Sequence, residues 1–382
     1  APNKSSTSTD YGDGEVKPGV PFVLNTKLFS DYSVKYRVLF LPQGGHAVYK
    51  DAATDGENAT IVFPAGTIIA KTFAFANETT GVEEVVETRL LIKRINSANR
   101  DVRWDGLPYI WETATNGQRI ARLSLDGGHK ALTWDFHDSD SNVRHSGGTD
   151  YQIPNKTQCL SCHSREDSEP GSAPIGLKVR NLNRGYKSES AKVTGQSNHE
   201  IKDQNQIAYL CNSVLMLGCP SAPTMNVNAT TKIAQGLERL PIFNKVGDGH
   251  ASDSARDIEA RARAYLEVNC QHCHNVKGFA ASTGLYLNSL GPVGLAHGVC
   301  KKPTATGAEG SGGFEYDIVP GKPEDSILAF RIGETAISPS ARMPPLARSV
   351  VHTEGHALVE QWIRDVIKRD EAKYPNSTAC GN

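Results

Sequence analysis

Cys159-Leu160-Ser161-Cys162-His163 and Cys270-Gln271-His272-Cys273-His274 repeat one pattern, two thiols three residues apart with an imidazole directly after the second. That spacing suits covalent attachment of a c-type haem. Each sulfur adds to one porphyrin vinyl group, and the histidine lies under the iron as proximal ligand. With 8 Cys and 12 His in 382 residues, a random chain would hold on the order of 0.005 copies. Two copies therefore predict two covalently bound haem c groups, with Cys159, Cys162, Cys270 and Cys273 as attachment points and His163 and His274 on iron. One zinc held by all four cysteines is a rival. Zinc ribbons separate their pairs by roughly 15–20 residues, whereas Cys162 and Cys270 are far apart, and zinc gives no reason for a histidine after each pair. A redox dithiol would need a βαβ setting that neither motif has.

The opposite face of a cytochrome c iron takes a thioether or a second imidazole. The chain has three methionines. Met343 stands in Ala341-Arg342-Met343-Pro344-Pro345, where the prolines fix φ and hold a weak ligand in place. Core filler is the ordinary role of a methionine, but one between an arginine and two prolines is poorly suited to it. Met343 is therefore the expected ligand of the second haem. For the first haem the candidates are Met225, beside Pro223, and His145 and His137 from the preceding β region, and an empty position is a further option. Met216 falls in a presumed helix and reads as core.

Haem c is attached outside the cytoplasm, where disulfides also persist. The four remaining cysteines are then expected as a local bridge, Cys211–Cys219, and a tail bridge, Cys300–Cys380. The expected location is the periplasm or the extracellular space, with a signal peptide already removed.

The elements that must position these groups follow from pattern. Residues 1–19 form a polar tail, which would need a neighbouring subunit to order it. Residues 20–155 are β-rich, with strands near Tyr36–Leu41, Ala59–Phe63, Thr67–Phe75, Val85–Arg94, Tyr109–Thr113 and Ile120–Leu125. Gly, Pro, Asn and Asp punctuate them, which suggests a sandwich or small barrel. Residues 156–250 carry the first haem motif and a short helix, Gln206–Leu217. Residues 251–382 read as a class I-like cytochrome c domain. Asp253 or Ser254 caps a helix leading to the second motif, Pro323 opens another, and a last helix from about Thr353 carries Leu358, Val359, Trp362, Ile363, Val366 and Ile367 as a stripe. The fold class expected is multidomain α+β, an N-terminal β-sandwich or barrel followed by mainly α-helical cytochrome c segments.

A net charge of −1 gives no electrostatic case for nucleic acid or an anionic membrane. No apolar run approaches the roughly 20 residues that span a bilayer.

Several stretches strengthen this reading. They include Leu28-Phe29-Ser30-Asp31-Tyr32, Phe63-Pro64-Ala65-Gly66-Thr67, Gln152-Ile153-Pro154-Asn155, Arg180-Asn181-Leu182-Asn183, Gly298-Val299-Cys300 and Ile318-Val319-Pro320-Gly321. With the two motifs they resemble a bacterial family of exported dihaem c-type cytochromes with an N-terminal β region. The second motif and Met343 match residue by residue, while Cys211–Ala229 looks like an insertion. The resemblance implies electron transfer with redox protein partners. The tail adds the option of a homo-oligomer or filament. The alternative is a dihaem peroxidase- or oxidase-like enzyme, with one open-coordination haem fed electrons by the Met343 haem.

Overall fold

The computed structural model describes residues 19–95, 102–163, 174–186, 204–304, 306–367 and 380. The polar tail, and with it the expected self-association, lies outside these residues apart from Gly19.

Nine strands precede the first motif: β1 (Val20–Pro21), β2 (Val34–Phe40), β3 (Ala47–Val48), β4 (Ile68–Asn77), β5 (Val82–Ile95), β6 (Val102–Thr113), β7 (Arg119–Leu123), β8 (Gly128–His137) and β9 (Arg144–Ile153). Eight of them form one sheet, with β1-β2-β4-β5-β6-β7 in order and the β8–β9 hairpin branching from the end of β4. The hairpin lies over the sheet. Phe73, Phe75, Val86, Leu132, Trp134, Tyr151 and Ile153 form the core between them. Burying each such side chain contributes about 1.5–3 kcal/mol. β3 leaves the sheet and pairs in parallel with β10 (Met216–Leu217).

The helices that matter here are α1 (Lys156–His163), α2 (Val179–Leu182), α3 (Gln206–Asn212), α4 (Ser254–Asn269), α5 (Ile327–Gly333) and α6 (Thr353–Gln361), the last continued by a π turn at Trp362–Val366. Asp253 caps α4 by accepting from the amides of Ala255 and Arg256. The stripe Leu358, Val359, Trp362, Ile363, Val366 and Ile367 is buried against Tyr265 and Leu266 of α4 and against Ile318.

The expected fold class is corrected. The described chain is mostly β-sheet and only 25% helical. Among the described residues the sheet ends unpaired at β1 and β7, so it does not close into a barrel, and mainly α-helical segments do not follow it. The physical reason lies in the sequence between the helices. Gly278, Gly284, Gly291, Pro292, Gly294 and Gly298 interrupt the stretch after the second motif, and each costs about 1–3 kcal/mol in a helix interior. Among the described residues only α4 is longer than the nine residues of α6.

Residues after α1 pack back onto the strands. Leu177, Val179, Leu182, Ile207, Leu210 and Met216 share one core with Phe22, Leu39, Ile69 and Trp104. The chain stops being helical after Asn212, because Val214 turns with φ 56° and the Cys211–Cys219 disulfide closes the loop. The second disulfide, Cys300–Cys380, spans 80 residues.

Candidate functional site

The first motif is placed by the end of β9. Asn155 and Gln158 cap α1 reciprocally, since the Asn155 side chain accepts from the Gln158 amide at 2.8 Å and the Gln158 side chain accepts from the Asn155 amide at 2.9 Å. The turn before β8 presses on this start. Gly127 has φ +70°, and a Cβ there would meet the Ile153 carbonyl oxygen at 2.3 Å, so glycine is required. Cys159 and Cys162 then stand one helical turn apart, on one face.

The second motif follows α4 directly, with Cys270 as the C-cap of the helix. The Cys270 amide donates to the Leu266 carbonyl at 2.9 Å, and the His274 amide donates to the Cys270 carbonyl at 2.9 Å. Cys270 packs against the core formed by α4 and the last helix, and desolvation pushes its thiol up to about 12. His274 is buried. Desolvation, then the charge of His272, lowers its imidazole to about 4, so the ring is neutral at pH 7. Its Nδ1 lies 3.4 Å from Thr283 Oγ1, which leaves Nε2 as the outward donor.

The fold brings the two motifs together. Donor atoms of Cys162, His272 and Cys273 all lie within 4.8 Å of one another. The Cys273 thiol hydrogen-bonds to Cys162, which lowers Cys162 and raises Cys273. The seam itself is closed, with a cavity of about 30 Å³ lined by Cys162, His163, His272 and Gln271 among others. The motifs therefore touch rather than enclose a chamber between them.

A buried charge network fixes this seam from behind. Glu267 of α4 takes Lys178 Nζ at 2.9 Å and Arg180 Nη2 at 2.7 Å. Burial works against its charge, but the two cations and the Ser289 hydroxyl hold the carboxyl at about 2. Lys178 also donates to Gln271 within the second motif at 3.2 Å. Asn181 and Asn183 extend the brace, bonding to Thr26 and to the Ala234 backbone. The stretch Arg180–Asn183, noted in the sequence only for its resemblance, thus ties α4 to the strands that precede α1.

A second brace holds the methionine loop. Met343 packs, partly buried, on the same core as Cys270. Its carbonyl accepts from Arg348 at 2.6 Å, and its amide donates to Arg331 at 3.0 Å. Asp31 accepts from the amides of Ser349 at 2.7 Å and Val350 at 3.1 Å. Two residues away, the Phe29 amide donates to Asn269 at 2.7 Å, directly before Cys270. One loop therefore grips both the helix entering the second motif and the segment leaving Met343. Sequence reasoning gave these residues no role. The signal available was a buried-type Asp between a serine and a tyrosine, in a stretch with no helical or strand period.

The remaining candidates stand elsewhere. His145 opens β9, and the strand's other end, Ile153, lies roughly 25 Å away at about 3.3 Å per residue, so His145 is remote from α1. His137, its hairpin neighbour, pairs with Glu78 at 2.8 Å. Met225 is buried on its own short turn after the Cys211–Cys219 loop. The structure brings Met343 to the core that carries the second motif and brings none of these three beside His163.

The donor types at the second motif fit a c-type haem. Cys270 and Met343 pack on one core there, and the buried, neutral His274 follows Cys273 directly. At the first motif the thiols and His163 are present without an identified sixth ligand. Among the described residues no helix is long and apolar enough to cross a membrane. No known protein family, curated protein or solved structure matches the chain.

Proposed function

We propose that this chain is an exported dihaem c-type cytochrome that transfers electrons outside the cytoplasm. The observation that carries the reading is the partition of its cysteines. Four form the disulfides Cys211–Cys219 and Cys300–Cys380. The four left free are Cys159, Cys162, Cys270 and Cys273, the thiols of the two attachment motifs. Bound haem supplies reversible one-electron chemistry, and the protein sets its ligands, burial and spacing. Cys159, Cys162 and His163 would hold one group, and Cys270, Cys273, His274 and Met343 the other. Because Cys162 and Cys273 are neighbours, the two groups would hang from adjacent sulfurs, an arrangement suited to passing an electron between them and on to a redox partner.

Intact-mass measurement and a pyridine haemochrome assay on natively produced protein test this. Two haem masses per chain support it, and the bare polypeptide mass overturns it. The enzyme alternative draws on the placement of Met225, His137 and His145 away from His163. A high-spin signal from one iron in the oxidised EPR spectrum would favour it, and two low-spin signals would favour the carrier. A third occupancy, a metal ion on Cys162, His272 and Cys273, competes for the same sulfurs. Stoichiometric zinc without covalent haem would identify it.

A further inference from the structure

A cavity of about 420 Å³ lies beside the start of β2, under the tip of the β8–β9 hairpin. Its volume falls in the range of small-molecule sites. Tyr32, Lys35, Arg37, His145, His352 and Glu354 line it. Tyr32 has φ 59° and Asp31 before it φ 47°. Two successive non-glycine residues in the left-handed region are strained and mark a place where side-chain direction matters. The strain aims the Tyr32 hydroxyl at Glu354 Oε2, 2.9 Å away. His145 Nδ1 meets the other oxygen of Glu354 at 3.0 Å, and His352 stacks on Phe29 at 4.0 Å.

Charge in this cavity is unbalanced. Among the described residues, its carboxylates have partners. Asp138 takes Lys27 at 3.5 Å, Glu78 takes His137 at 2.8 Å, Glu83 takes the Tyr36 hydroxyl, and Glu354 takes His145. Among the described residues, Lys35 and Arg37 pair with no carboxylate, and their hydrogen bonds go to backbone carbonyls, of Ser33 at 2.9 Å and of Lys35 at 3.2 Å. Arg37 is 7% exposed, and its Nη2 is buried with no hydrogen-bond partner. A buried guanidinium nitrogen without an acceptor is costly. More cations lie beside it. Arg37 faces Lys71, and Lys71 faces Arg89, across β2, β4 and β5. Lys35, Lys71 and Arg89 all crowd the Phe73 ring, at 5.6, 4.8 and 4.2 Å. One carboxylate, Glu87, serves this group, and it is bonded to Arg89 and to the Tyr151 hydroxyl. Burial and the neighbouring cations push the Lys35 and Lys71 ammonium groups well below their ordinary value.

We propose that this cavity binds the oxyanion of a small carboxylate- or phosphate-bearing molecule, with Arg37 and Lys35 taking the anion and Tyr32, His145 and Glu354 contacting the rest. An oxyanion supplies the acceptor that Arg37 Nη2 lacks and offsets the cation row. The same chemistry has two sources, a diffusible acid or a porphyrin propionate of the group at Cys159. The second source rests on the cytochrome reading. It arises because the cation row runs from Arg37 to Arg89, whose charge acts on Cys159.

Titration calorimetry of the intact, natively loaded chain with inorganic phosphate and with succinate tests the first source. Binding of either probe in the wild type, weakened roughly tenfold or more in Arg37→Met and less in Arg37→Lys, supports a diffusible ligand. Spectroelectrochemistry tests the second. A negative shift of one haem potential in Arg37→Met, with no binding of either probe to the wild type, assigns the anion to the porphyrin. If neither probe binds the wild type and neither potential moves in Arg37→Met, the proposal fails, whatever Arg37→Met and Lys35→Met do to the melting temperature. Loss of haem from the preparation would overturn the cytochrome reading, while the calorimetric arm would still report on the cavity.

Discussion

The two Cys-x-x-Cys-His motifs are alike in sequence and unlike in setting. The first sits on an eight-residue helix at the end of a strand, held by its own reciprocal cap and by the turn at Gly127. The second ends a 16-residue helix whose buried face is part of a large core, with Met343 on that same core. Under the cytochrome reading, the difference teaches that attachment and ligation are separable demands. A short motif on a capped helix would suffice for covalent attachment. A weak sixth ligand would need a core that holds two distant segments in register, which among the described residues the second motif has.

Removing the tail bridge should separate the two settings most. Cys300→Ser with Cys380→Ser opens an 80-residue loop and is expected to cost about 4.5 kcal/mol. Cys211→Ser with Cys219→Ser opens an 8-residue loop and should cost about 2.5 kcal/mol. Urea unfolding of both double variants measures the gap, and equal losses would mean that the second core does not depend on its tail.

Glu267→Gln leaves Lys178 and Arg180 without their shared carboxylate and is expected to destabilise by about 3–5 kcal/mol. Because this network ties the two settings together, under the cytochrome reading both haem environments should change in the visible spectrum. A change confined to one would show that the motifs are held independently. The same group gives an acid dependence. Its folded pKa of about 2 lies below the ordinary 4.5, so its contribution is present above pH 4.5 and is lost as pH falls towards 2. The loss is on the order of 3 kcal/mol. Denaturant midpoints measured between pH 6 and 2 should fall in that window, and Glu267→Gln should flatten the fall.

Met343→Leu is the gentlest change. Similar volume keeps the stability loss below about 1.5 kcal/mol. Under the cytochrome reading, one haem alone should lose its thioether-to-iron absorption. Loss at both, or at neither, would remove the contrast between the motifs.

The helix leading to Cys270 was legible because its cap, apolar face and motif agree with one another. Strands β4 to β7 were legible from their β-branched and aromatic runs. β8 and β9 were not, because Arg144–Ile153 carries Gly147, Gly148, Asp150 and Ser146, and its place is set by the sheet it covers rather than by its own propensity. Ala59–Phe63 reads as a strand but contributes only a single bridge, Val62 to Val48. In β5, the charged Glu87 and Lys93 are buried, since Tyr151 of the hairpin and Trp104 cover them. The chemistry proposed for the site rests on seven residues that the sequence marks by their spacing. The braces at Asp31 and Arg180 were not, because their partners lie far off in the chain and no local period announces them.

Placing Cys162 against Cys273 also bears on how the molecule is made. The compartment that joins Cys211 to Cys219 would as readily oxidise two bare sulfurs at this seam, and a cross-link between them would block both motifs at once. Under the cytochrome reading, folding and maturation are therefore in a race. The prosthetic groups would have to be in place, or the thiols kept reduced, before the two motifs close on each other.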